Sequence, residues 1–579
     1  MTAPDPLTPQ PEAWFEPFPL TAVQRSYLVG RSGGFGLSGF TCHGYFEFKI
    51  AGLSPERLES TWAETVRREP MLRVVISADG TQRVLPDVPA YRFEHLDLSR
   101  LDPAARERRL LDARAEMDHE VRPVEEWPPF RFRVLDLGEQ GRRLQMSFDV
   151  IGLDAAGWFR TFRAWGRLYH APDEPWSPPP LSFRDYRLAE IAYASSEALA
   201  PHRAYWAERL ATLPPGPDLP LACDPDTLRA PRYVRHTARV DAGRWRPLRA
   251  LTKSQGVSPS CLLVAAFAEV LRAWSGDPRF TLTLTLFRQR PLHPEVRRVG
   301  GDYTSTLLLE MAGHGATFLD RARAAQAQLT ADLAHADVSG IDASHAWARA
   351  NGRAPRSLAP VVFSSLPQSS AVDAPWDWLG ERTFAVSQTA QVWIDFQLIE
   401  LGGGIELTWD GAEALFPPGV IEAMFAAYCA LLDRLVDLEA WQVRAFDHRP
   451  PAQRARHAEA NATAGPCPDE RLFDGFRRQV IRRPDAPAVI AADRRLSYAE
   501  LDRRARALAV ALRAAGAAPG ELVALAMHKG WAQVVAVLGA HFAGAGYLPL
   551  DAAWPAERRR WMRRHAGARA VVTTADLAE

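Results

Sequence analysis

Apolar and polar residues alternate with period two in two nearby stretches, Phe130-Arg131-Phe132-Arg133-Val134-Leu135 and Leu144-Gln145-Met146-Ser147-Phe148, separated by Gly138-Glu139-Gln140-Gly141. That pattern predicts a β-hairpin. The period then changes: Trp158, Phe162, Trp165 and Tyr169 recur at helical spacing, an aromatic stripe that predicts a helix with one buried face. Between strand and helix lie two carboxylates five residues apart, Asp149 and Asp154. A loop at the end of a rigid element commonly carries chemistry, yet Asp154 also suits a helix N-cap and Asp149 an ion pair with arginine. On this segment alone the structural role outweighs the catalytic one.

Further along, the proline-rich passage Pro172–Pro180 marks a hinge. A helix is expected from Ser258-Pro259-Ser260 through Leu262, Phe267, Val270 and Leu271. Phe280–Phe287 then alternates threonine with leucine or phenylalanine, an antiparallel-like strand pattern. Residues 441–468 are polar and aperiodic, as a linker should be. Beyond them, Ser497-Tyr498-Ala499-Glu500 predicts a capping box ahead of a helix bearing Leu501, Leu508 and Leu512 that stops at Gly516. Glu521–Met527 reads as a buried parallel strand, and Tyr547–Asp551 begins another. This is the βαβ grammar of a doubly wound sheet, over too short a stretch to close such a domain.

A chain of 579 residues exceeds what one core serves, so about three or four compact units are expected. Basic and acidic residues balance at 69 each, which argues against a nucleic-acid surface or a membrane patch. The five cysteines are scattered without CxxC spacing, so neither a zinc site nor a disulfide framework is indicated, and a reducing cytoplasm is expected. Met1–Pro6 is polar and proline-rich rather than a signal peptide, and no apolar run is long enough to span a bilayer.

Several blocks point to a family when taken in order: Phe18-Pro19-Leu20-Thr21-Ala22-Val23-Gln24-Arg25, Asp149 with Asp154 as a DxxxxD signature, Phe183-Arg184-Asp185-Tyr186, Thr285-Leu286-Phe287, Gly301-Asp302-Tyr303-Thr304-Ser305, Pro360-Val361-Val362-Phe363-Ser364-Ser365 and Ser387-Gln388-Thr389-Ala390-Gln391-Val392-Trp393-Ile394-Asp395. The chain resembles a heterocyclization domain of a nonribosomal peptide synthetase, in the condensation-domain superfamily. Leu496–Leu501 and Gly544–Asp551 look like the first two core motifs of a following adenylation domain. The fold this implies is α/β: two chloramphenicol-acetyltransferase-like lobes in a V-shaped pseudo-dimer with a tunnel between them, plus an incomplete doubly wound adenylation subdomain. The corresponding boundaries are a disordered tail 1–14, lobes 15–180 and 181–440, a linker 441–468 and an adenylation fragment 469–579.

An ordinary condensation domain has HHxxxDG where this chain has Asp149, Val150 and Asp154. Valine cannot titrate, so the role of the second histidine is unfilled and plain condensation is disfavoured. The resemblance implies amide formation between a carrier-bound thioester and a carrier-bound Cys, Ser or Thr, then cyclodehydration to a thiazoline or oxazoline. Asp395 is the implied acid/base and Ser364 its hydroxyl partner, at a position where the family usually has threonine. Gln391 and Ser365 are implied at the tunnel, while Asp149 and Asp154 hold the lobe interface through arginine pairs. His293, between two prolines, reads as a turn residue. Substrates arrive on phosphopantetheine arms of upstream and downstream carrier proteins, with no tightly bound cofactor, nucleic acid or membrane expected. No phosphate loop with its lysine occurs before Glu579, so the ATP site is incomplete. Amide formation alone, or a docking scaffold without turnover, are the alternatives; the residue cyclised and the acyl donor stay open.

Overall fold

Two sheets organise the larger part of the chain. In the computed structural model residues 7–575 are described, apart from 34–35, 230, 351, 353–357, 367–373 and 468. The chain divides after His457 into two compact units.

The first sheet of the first unit has five strands, in spatial order Glu381–Gln388, His43–Ile50, Arg142–Asp149, Phe130–Asp136 and Glu94–Asp97. The hairpin expected from period two is there, with Phe130 opposite Phe148 and Phe132 opposite Met146. Those side chains form one core with Trp158, Phe162 and Trp165 of the helix Ala155–His170. Phe148 and Trp158 meet with ring centroids 4.5 Å apart. Burying each such ring contributes about 2 kcal/mol, which fixes the helix start, and the two aspartates with it, against the sheet.

The second sheet has six strands, in order Thr304–Met311, Phe280–Phe287, Val361–Leu366, Ile394–Leu401, Gly404–Ala412 and Tyr233–Val240. Phe280–Phe287 is antiparallel to one neighbour and parallel to the other, so its threonine alternation does not mark a purely antiparallel sheet. The alternation has another cause. Leu282 and Leu284 face the core, where the helix Pro259–Trp274 packs, whereas Thr283 and Thr285 face a cavity.

Two boundaries differ from expectation. The strand Glu381–Gln388 lies in the stretch assigned to the second lobe yet pairs along His43–Ile50 of the first sheet. It covers an edge whose N–H and C=O groups would otherwise be unpaired. Residues 7–14, assigned to a disordered tail, pack down: Leu7 sits in the first-lobe core, and Pro11–Ala13 forms a 3-10 turn. The remainder of that tail, residues 1–6, lies outside the described residues. Within the stretch read as an aperiodic linker, Pro451–Ala460 is helical with no buried residue.

In the second unit, Leu522–Met527 runs parallel between Gly546–Asp551 and Ala570–Thr573. The capping box forms as expected: Ser497 Oγ accepts from the Glu500 N–H at 3.2 Å, and the Glu500 carboxylate from the Ser497 N–H at 3.0 Å. The chain is thus α/β, with two chloramphenicol-acetyltransferase-like lobes and an incomplete doubly wound subdomain. Among the described residues no single helix is long and apolar enough to cross a membrane.

Candidate active site

Side chains alternate across a strand, so every second residue of the six-stranded sheet faces the same way. Register decides which of them meet. Val362, Asp395, Asp410 and Arg235 stand in one row across four strands, and Thr285, Ser364, Gln397 and Thr408 in the next. All of these except Asp410 line a cavity of about 480 Å³, whose other walls include Tyr27, Cys42, Val150, Asp154 and Gln391.

Asp395 lies at the centre of this face, 9% exposed. One carboxylate oxygen accepts from Ser364 Oγ at 3.4 Å, and the other from Gln397 Nε2 at 2.8 Å. Ser364 Oγ is also 2.8 Å from Thr285 Oγ1. Burial pushes the Asp395 carboxyl up to about 6, with the Gln397 hydrogen bond and Arg235 opposing and Asp410 adding to the rise. A carboxyl poised there exchanges protons readily near neutral pH.

A second layer extends from it. Gln397 Nε2 also donates to Ser387 Oγ at 2.8 Å, and Ser387 Oγ donates to Asp410 at 2.6 Å. Arg235 grips Asp410 with both arms of its guanidinium, Nε at 2.7 Å from one oxygen and a terminal nitrogen on the other. Asp410 is fully buried.

Asp149 is buried and held by three partners. It pairs with Arg31 at 2.6 Å, accepts from Thr41 Oγ1 at 2.7 Å and receives the Ile151 N–H at 2.9 Å. Asp154 departs from the arginine pairing expected of it. It caps the helix Ala155–His170, taking the Gly157 N–H at 2.6 Å, and its second oxygen takes the Tyr303 N–H at 3.0 Å. Backbone donors suffice here, and they tie the helix start to the Gly301–Ser305 block of the other lobe. Next to it Asp302 is buried and accepts from Thr21 Oγ1 at 3.0 Å. Burial and the Asp154 charge push its carboxyl up to about 7.

Gln391 lines the cavity from a turn in which it adopts φ 64°, its N–H donating to the Leu37 carbonyl at 2.9 Å. A non-glycine residue in that region stores strain of about 1 kcal/mol, typical of functional turns. Ser365 is not at the cavity. Being next to Ser364 on a strand it faces the opposite side, where its Oγ lies 3.2 Å from Ser260 Oγ. His293 is a turn residue, its Nδ1 accepting from the Glu295 N–H at 3.1 Å. Arg235, Asp410 and Gln397 were not singled out by the sequence, and Thr285 entered only as part of the Thr285-Leu286-Phe287 block. For Gln397 a signal existed: two residues past Asp395 on a strand, it must share that face. Among the described residues no three His, Cys, Asp or Glu side chains group as metal ligands.

The Condensation domain family model matches residues 16–456, and the AMP-binding enzyme model residues 476–579. Pyochelin synthetase PchF of Pseudomonas aeruginosa is 37% identical over 563 residues, covering 95% of this chain and 30% of that protein. Phenyloxazoline synthase MbtB of Mycobacterium tuberculosis is 36% identical over 557 residues, covering 94% of this chain and 38% of that protein. Among solved structures, the nonribosomal peptide synthetase FmoA3 superposes with a TM-score of 0.86 at 36% identity, over all of this chain and 60% of that one. The EpoB cyclization-docking bidomain of Sorangium cellulosum gives 0.71 at 35% identity, over 75% of this chain and 87% of that one. The chain therefore belongs to the condensation-domain family, as a nonribosomal peptide synthetase heterocyclization domain that runs into the beginning of an AMP-binding enzyme domain. It spans less than half the length of the two curated relatives, 30% and 38%.

Proposed function

We propose that the first unit joins a carrier-bound acyl or peptidyl thioester to a carrier-bound Cys, Ser or Thr and then closes the product to a thiazoline or oxazoline. In the first step the amine nitrogen attacks the thioester carbon, and the carrier thiol leaves with a proton. In the second, the side-chain sulfur or oxygen adds to the new amide carbon. The amide oxygen then departs as water while the C=N bond forms. Asp395, ionised at neutral pH, takes a proton from the attacking group or the nitrogen and returns one to the departing oxygen, with Ser364 relaying or orienting. Gln391 is a substrate contact in the same cavity. Asp149 and Asp154 hold the lobes around it.

One observation carries this reading: a buried carboxylate and a hydroxyl sit in hydrogen-bond contact on the cavity face. Similarity to the phenyloxazoline synthase MbtB and to the EpoB cyclization-docking bidomain supports it. Phosphopantetheine arms of carrier proteins deliver both substrates, and the setting is cytoplasmic. Incubating the chain with an acyl-loaded carrier and carriers loaded with Cys, Ser or Thr tests it by mass spectrometry. A product one water lighter than the open amide is expected. Open amide alone would reduce the chain to a condensing domain, and no product to a docking scaffold.

A further inference from the structure

We propose that the buried Arg235–Asp410 ion pair, linked through Ser387 and Gln397, positions the Asp395 carboxylate for ring closure. The inference rests on the reading of Asp395 as the acid/base.

Asp395 and Asp410 stand directly opposite each other on adjacent antiparallel strands, and Arg235 stands opposite Asp410 on the next. Like charges facing across strands repel, so the pair of aspartates needs a compensating cation. Arg235 supplies it with both arms on Asp410. A buried ion pair is weak support for stability alone, since well-packed apolar residues would serve as well, so its retention points elsewhere.

The hydrogen bonds have a direction. Arg235 also approaches the Gln397 side-chain oxygen at 3.4 Å. With that oxygen turned to the guanidinium, the Gln397 amide nitrogen must face Asp395 and Ser387. Ser387 uses its proton on Asp410 and therefore accepts from Gln397. One Asp395 oxygen is thereby tied down, and the other keeps only the longer contact with Ser364. That less constrained oxygen, beside Ser364, is the one available for proton exchange in the cavity.

Titratable groups facing Asp395 from the packed elements are Asp410, Arg235, Tyr233, Tyr27 and Cys42, with the Glu406–Arg382 pair beyond them. Burial holds the two phenols and the thiol neutral, so Asp410 and Arg235 dominate the charge that Asp395 feels.

The test uses the full chain and the loaded carrier pair that gives ring product, with amide and ring formation followed separately by mass spectrometry from about pH 5.5 to 8.5. In Asp410→Asn, Arg235→Gln and Ser387→Ala the ratio of ring to open amide should fall about tenfold. The midpoint of the ring-closure profile should move down in Asp410→Asn and up in Arg235→Gln, each by about one pH unit. Arg235→Lys, which keeps the charge, should leave the midpoint near that of the parent chain. Midpoints that stay put, or move in the same direction, overturn the inference. Ser387→Ala leaves both charges in place and decides the matter if the ion-pair variants fail to fold: an unchanged product ratio there also overturns it. Asp395→Asn run alongside separates the two levels. Ring closure persisting in that variant removes the Asp395 reading itself, whereas its loss with unmoved midpoints removes only the role of the outer pair.

Discussion

Replacing Asp395 with asparagine should make the protein more stable at neutral pH while costing it the ring-closing step. The Asp395 carboxyl is raised by burial from an ordinary 3.8 to about 6. The folded state therefore holds this proton more tightly than the unfolded chain does. Stability from this group is present at low pH and is lost as pH climbs from about 4 to about 6. A gap of about two pH units, at about 1.4 kcal/mol each, amounts to about 3 kcal/mol of destabilisation at neutral pH. Asparagine has the same shape and no charge to bury, and Ser364 Oγ can accept from its amide. Urea denaturation followed by tryptophan emission would measure the difference at two pH values. The variant should exceed the parent by about 3 kcal/mol near pH 7.5 and by about half of that near pH 5. A variant less stable than the parent at neutral pH, or a difference independent of pH, would refute the reasoning.

Asp149→Asn removes the charge that Arg31 pairs with and should cost about 3 kcal/mol in denaturation, with amide and ring products falling together. Asp154→Ala loses both the N-cap and the Tyr303 anchor and should cost about 2 kcal/mol, read in the same assay. Ser364→Ala should slow ring closure about tenfold by mass spectrometry and Ser364→Thr should preserve it, whereas Ser365→Ala, facing away from the cavity, should change neither step.

What the sequence made legible follows the range of the interaction. Asp154 could be read as an N-cap because its partner Gly157 is three residues away. The aromatic stripe of Ala155–His170 and the Ser497 capping box are equally local, and both formed. Arg31 lies 118 residues from Asp149, and Arg235 lies 175 from Asp410, so strand register alone brings these pairs together. No local pattern announces that. The pairing of the strand Glu381–Gln388 with His43–Ile50 was illegible for the same reason: its partner is chosen by an open edge elsewhere in the chain. Ser365 is a different kind of miss. Alternation on a strand forbids neighbours Ser364 and Ser365 from sharing a face, and the motif resemblance masked that rule.

Proton shuttling by a carboxylate on the cavity face of the second sheet is what the account stands on, and Asp395→Ala in the loaded-carrier reaction probes it most directly. Open amide should accumulate at close to the parent rate while the product one water lighter disappears. Ring product persisting in the variant, or both products vanishing together in a folded protein, would contradict it.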